Sequence, residues 1–186
     1  MRSKIINISD YTPGEGDKFI FDCNVLMYIF YTFGDYSDHL MEPYKLFFNK
    51  IAVKHDCIVY PAILLSEFTN TFIQNEYKRY LKENHLGRNF NFKRSFKPTE
   101  EYKSTINEIS EIINTQLLAL PSAVILNDNF ESMDVPHLFI NENVFDFNDR
   151  YFGELSKLND YYIVTNDRDF RYIDDVRIIT ANTALL

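Results

Sequence analysis

Short apolar runs alternate along this chain with longer amphipathic stretches. Lys18-Phe19-Ile20-Phe21 follows the turn-forming segment Thr12-Pro13-Gly14-Glu15-Gly16-Asp17 and reads as a first buried strand. Asn24 to Phe30 continues it without a break as a helix capped by Asp22 or Asn24. A second helix is predicted over Glu42 to Lys54, with Pro43 in its first turn. Cys57 to Tyr60 reads as the next strand, and Pro61 opens a long helix from Ala62 to about Lys82. Helical signals resume at Thr99-Glu100-Glu101 and run to about Leu120, with Ile106, Ile109, Ile112, Ile113 and Leu117 as the apolar stripe. Ala123 to Leu126, Tyr161 to Thr165 and Val176 to Thr180 read as further strands, and Asp149 to Leu158 as a helix. Asn84 to Pro98 lacks clean periodicity and reads as a loop or flexible insertion; Asn127 to Asn148 is the least regular stretch. Strands alternating with helices predict a parallel sheet in a single α/β domain spanning residues 1–186.

Composition narrows the function classes. Hydrophobic residues make up 46% of the chain, enough for a substantial core. Seventeen Phe and thirteen Tyr with no Trp make that core bulky and aromatic, since core packing is the default for Phe. The N-terminus lacks the apolar stretch of a signal peptide, and no run approaches the roughly 18 residues of a membrane span, so the chain reads as cytoplasmic. Cys23 and Cys57 lie in apolar stretches without zinc-ligand spacing and read as reduced core thiols. The net charge is −8, yet Lys78 to Lys97 carries seven basic residues against the single acid Glu83. That segment is +6 and the remainder −14, so a polyanion could be met through this segment alone.

Four acids stand where extended apolar runs give way to turns or helices. Asp22 closes Lys-Phe-Ile-Phe-Asp, Glu67 lies within Leu64-Leu65-Ser66-Glu67-Phe68, Asp149 opens a helix, and Asp167 ends Tyr161-Tyr162-Ile163-Val164-Thr165-Asn166-Asp167. Carboxylates so placed can converge at one edge of a parallel sheet. Unit charges 5 Å apart repel by roughly 3 kcal/mol at an effective dielectric near 20. Such a cluster calls for protons or a hard cation, and oxygen-ligated Mg²⁺ or Mn²⁺ is the matching choice. Taken singly, each acid has a plainer reading: Asp22 as a helix cap, Glu67 as a solvent-facing helical residue, Asp146 or Asp149 as caps, Asp167 as a turn residue. The four histidines are scattered, and none sits beside a candidate acid.

In order along the chain, Asp22-Cys23-Asn24-Val25-Leu26, Ser66-Glu67-Phe68, Asp149 and Thr165-Asn166-Asp167-Arg168-Asp169-Phe170 resemble the motifs of PIN-domain nucleases. The resemblance spans nearly the whole chain; its first and last motifs are specific, and the middle two rest on position. It implies a three-layer α/β/α, Rossmann-like fold with a central parallel sheet. It also implies a metal-dependent endoribonuclease with Asp22, Asp149 and Asp167 as metal ligands and Glu67 as a ligand or an orienter of bound water. Asn24, Thr165, Asp146 and Asp169 would support those ligands, with Asp146 the alternative to Asp149 as third acid. RNA, a cognate antitoxin protein and a second copy of the chain are the partners it suggests, although the basic insertion makes this chain longer than compact toxin members.

Within that insertion, Arg88, Lys93 and Arg94 are candidates for the RNA backbone, and Phe90, Phe92 or Phe96 for stacking on unpaired bases. Arg150 and Arg168 are further phosphate candidates, with solvated surface roles as the plainer reading. Two other functions compete. One is a catalytically silent module binding RNA or a partner. The other is a haloacid-dehalogenase-like phosphatase, which needs a second Asp where this chain has Asn24.

Overall fold

The computed structural model describes residues 4–55, 57–87, 89–127, 130–139 and 146–186. Six strands pair throughout in parallel: β1 (Lys4–Asn7), β2 (Phe19–Phe21), β3 (Ile58–Pro61), β4 (Ala123–Leu126), β5 (Tyr162–Val164) and β6 (Arg177–Thr180). Their order across the sheet is β1-β6-β5-β2-β3-β4. Among the described residues, five α-helices connect and cover them: α1 (Cys23–Phe30), α2 (Asp38–Ala52), α3 (Ala62–Glu83), α4 (Glu100–Glu111) and α5 (Phe147–Asn159). The result is the three-layer α/β/α arrangement expected of parallel strands, which bury both faces.

The three residues of β2 are wholly buried, which explains their unbroken apolar run. Side chains alternate across a strand, so Phe19 and Phe21 share one face. Their rings meet Phe47 of α2 at 5.5 and 6.3 Å, and Phe21 meets Phe48 at 5.3 Å. The aromatic surplus is therefore concentrated at the interface of sheet and helix, where each edge-to-face pair adds about 0.5–1.5 kcal/mol beyond its area. Cys23 and Cys57 are both buried, and the Cys57 thiol donates to the Ile51 carbonyl at 3.3 Å.

Three features depart from the sequence reading. The strand β1 lies at the sheet edge against β6, formed by a short Lys-Ile-Ile-Asn run whose β-branched pair is the only local cue. Helix α2 begins one turn early, after Ser37 and with Asp38 in its first turn, so Pro43 lies inside the helix. The acid at the helix N-terminus compensates for that weaker interior. Most importantly, the segment after α3 is folded rather than loose. Phe92–Phe96 forms one wide turn of helix, and the Phe96 ring is fully buried among Tyr77, Tyr80, Phe92 and Tyr102 at 5.1–5.7 Å. Phe96 is thus the core of a small aromatic cluster tying α3 to α4, and it has no ring face open to a base.

Gly153 lets α5 approach the segment after β5 closely. A Cβ there would stand 2.6 Å from Ile173 Cγ2. Gly153→Ala is expected to lower stability by about 1–3 kcal/mol through overpacking, despite Ala's better helix propensity. Urea unfolding of the variant against the parent checks this.

Candidate active site

From β2 the chain steps outward through β3 to β4, whereas β5 and β6 lie on the other side of β2. The order thus reverses between β2 and β5, and in open α/β sheets the crevice beyond the carboxyl ends of strands at such a reversal is where ligands bind. Asp22 directly follows β2, and Thr165-Asn166-Asp167 directly follows β5. Backbone bonds fix both ends. The Asp22 N–H donates to the Val164 carbonyl at 2.9 Å, and the Thr165 N–H donates to the Ile179 carbonyl at 3.1 Å.

Asp22 occupies the N-cap position of α1, but its carboxylate makes no capping hydrogen bond. It is buried, and its Oδ2 instead accepts a hydrogen bond from the Thr165 hydroxyl at 2.7 Å. The same hydroxyl oxygen accepts from the Asp167 N–H at 2.9 Å, so one buried threonine ties the Asp22 carboxylate to the backbone of Asp167. Asp149 lies in the first turn of α5 and is buried. Glu67, near the start of α3, accepts from Asn148 Nδ2 at 2.8 Å, which links α3 to the first turn of α5. Asp167 Oδ1 accepts from the Asp169 N–H at 2.9 Å, holding the turn after β5.

These carboxylates act on one another. Burial pushes Asp149 up to about 8, helped by the charges of Asp22, Asp146, Asp167 and Glu67. Burial likewise pushes Asp22 up to about 7 against the opposing Thr165 hydrogen bond, with Glu67 and Asp167 adding repulsion. Glu67 is raised by burial and by Asp146, partly offset by its bond from Asn148. The acids from β2, α3, α5 and the β5 end therefore form one electrostatic unit. Among the described residues, no group of three acid, His or Cys side chains stands closely enough to enclose an ion as the side chains are now arranged. The donor chemistry nonetheless suits a hard divalent cation: the oxygens are negative, partly desolvated and mutually repelling. Asn24 adds to this, since its buried Oδ1 has no hydrogen-bond partner among the described residues.

The other sequence candidates stand apart from this unit or at its rim. Asp146 is exposed and caps α5 by accepting from the Asn148 N–H at 2.8 Å, while still adding charge near Asp149 and Glu67. Asp169 is exposed. Arg150 is buried, not a surface residue, and lines a small cavity with Glu154, Lys157 and Asp174. Arg168 is exposed beside Asp167. Lys93 and Arg94 are exposed on the turn beyond α3, and Arg88 lies outside the described residues.

The sequence reading missed the residues that hold the rim. The fully buried Tyr44 hydroxyl lies 3.1 Å from both the Thr165 carbonyl and Asn166 Oδ1, and 3.2 Å from Thr180 Oγ1. It also accepts from the Ala181 N–H at 3.0 Å. Tyr44 and Asn148 meet partners far away in sequence, so no local pattern marks them.

Between its unfolded value near 4 and its folded value near 7 or 8, each raised carboxyl binds more protons in the folded state. The unfolded chain then releases them, and stability falls as pH rises through that window. Without divalent metal, the melting temperature is expected to fall from pH 5 to pH 8. Asp22→Asn or Asp149→Asn should flatten that slope, as a calorimetric pH series would reveal.

No family model matches the chain, and no curated protein matches it by sequence. Among solved structures, a chain of VapBC2 from Rickettsia felis, crystallised bound to a DNA fragment from their promoter, superposes with a TM-score of 0.51 at 11% identity. The match covers 87% of this chain and 97% of that one. PAE2754 from Pyrobaculum aerophilum is similar at a TM-score of 0.46 and 14% identity, covering 93% of this chain and 96% of that one. The chain shares the fold of that VapBC2 chain.

Proposed function

We propose that this protein is a metal-dependent endoribonuclease that hydrolyses RNA phosphodiester bonds at the acids gathered between β2 and β5. The observation carrying this reading is the burial of Asp22 and Asp149 at the reversal of strand order, where the charges of Glu67 and Asp167 act on both. Asp22, Asp149 and Asp167 would hold Mg²⁺ or Mn²⁺, with Glu67 as a further ligand or as the group orienting a water. Such an ion, when bound, activates water and stabilises charge on the phosphorane. The protein's own groups do the rest. Thr165 fixes the Asp22 carboxylate, Asn148 fixes Glu67, and the Tyr44 hydroxyl pins the loops after β5 and β6. The likeness to VapBC2 and the family that the motifs resemble favour a toxin paired with an antitoxin protein as the setting.

With Mn²⁺ and a labelled single-stranded RNA, the parent is expected to cut. Asp22→Asn and Asp149→Asn should each lower the rate by more than about 100-fold, since loss of a mere supporting group at a metal site already costs roughly 10–100-fold. Asp146→Asn should cost less, because that side chain serves as a cap. Near-parental rates in both of the first two variants would place the chemistry elsewhere.

Thr165→Val removes the donor to Asp22 while keeping the volume of the side chain. Mn²⁺ affinity by isothermal titration is expected to fall roughly 10–100-fold, and Thr165→Ser should recover most of it.

A further inference from the structure

Beyond the acids, one face of α3 continues toward its C-terminal half. Glu67, Thr71, Asn75, Lys78 and Lys82 recur at helical spacing, so Lys78 stands within roughly 20° of Glu67 around the axis and about 16 Å along it. Thr71 on this stripe touches Cys23, the residue after Asp22. Opposite the lysines, the turn between α1 and α2 presents Phe33 and Tyr36, and together they wall an open groove of about 360 Å³.

The chemistry of this groove is specific. Phe33 is 58% exposed, and one face of its ring is taken by the Arg79 guanidinium at 4.4 Å. Arg79 is itself paired with Glu76 and Glu83, so it serves to set the ring rather than to meet a ligand. Lys78 and Lys82 are exposed and make no ion pair among the described residues; Asp35 is the acid in the wall. Tyr36 lies over Gly34, where a Cβ would strike its ring, and it meets Tyr28 at 4.8 Å. The Tyr28 hydroxyl accepts from Asn166 Nδ2 at 3.2 Å, one residue from Asp167. Tyr36 and Tyr28 thus connect the groove to Asn166, in the loop that carries Asp167.

We infer that this groove is a binding track for single-stranded RNA, in which bases stack on Phe33 and Tyr36 while Lys78 and Lys82 meet successive phosphates. The assignment rests on the nuclease reading for its direction, since the track leads a strand toward Glu67. It differs from the turn carrying Lys93 and Arg94, whose rings pack into the α3–α4 cluster. An acidic centre repels a polyanion, and a cationic strip about three to four helical turns away supplies the attraction it lacks. The exposed Phe33 ring, beside the half-buried Tyr36, favours a single strand, whose bases are free to stack.

The test is fluorescence anisotropy with a short labelled single-stranded RNA in EDTA, across a salt series, beside the matching duplex. Lys78→Gln/Lys82→Gln is expected to weaken binding about tenfold and to flatten the log–log salt slope by roughly 1.4, at about 0.7 for each phosphate no longer neutralised. Phe33→Ala should weaken binding about tenfold with the slope unchanged. Circular dichroism confirms that these surface variants are folded. An unchanged slope in the double variant, or duplex bound as tightly as single strand, overturns the track. Parallel cleavage with Mn²⁺ separates the two readings. Binding lost in the variants while the parent never cuts RNA supports the track and sinks the nuclease. Cleavage by the parent with binding unchanged in the variants does the reverse.

Discussion

Everything at this site depends on holding negative charge where water is scarce. Asp22 and Asp149 are buried in the presence of two further carboxylates, an arrangement that favours their protonated forms near neutral pH. Left alone, such groups would turn outward or take up protons. The Thr165 hydroxyl opposes this by donating to Asp22 and accepting from the Asp167 amide. One oxygen atom therefore couples the ends of β2 and β5, the pair of strands between which the sheet changes direction.

The fold makes that coupling possible. The wholly buried β2 pairs in register with β5, Phe21 opposite Val164, so their following residues emerge side by side. α3 brings Glu67 from the neighbouring strand, and Asn148 in the first turn of α5 reaches 2.8 Å to meet it. Tyr44 closes the assembly from α2 by joining the loops after β5 and β6. The interior carries a repulsion that a cation would relieve, while direct hydrogen bonds from Thr165, Asn148 and Tyr44 hold the elements around it.

Legibility in the sequence followed distance. Buried strands and their trailing acids were readable because an unbroken apolar run ending in Asp marks both at once, as in Lys18-Phe19-Ile20-Phe21-Asp22. The edge strand β1 is too short and too polar to give that signal. Pro43 pointed to a helix start, but Asp38 supplied a better one a turn earlier. The insertion looked irregular because its order comes from rings donated by α3 and α4, a tertiary cause without local period. Phe96 illustrates this: nothing adjacent marks it as core, yet four surrounding rings bury it. Tyr44, Asn148 and the groove at Phe33 were invisible for the same reason, since each acts on residues dozens of positions away.

That these acids exist to hold a divalent cation is the central claim. Diffraction from crystals soaked in Mn²⁺, recorded at the manganese edge, tests it most directly. The expected result is an anomalous peak between the carboxylates of Asp22 and Asp149, at ordinary metal–oxygen distances, with Asp167 turned toward it. A manganese peak only at other positions, with these carboxylates unmoved and protonated at pH 8, would contradict it.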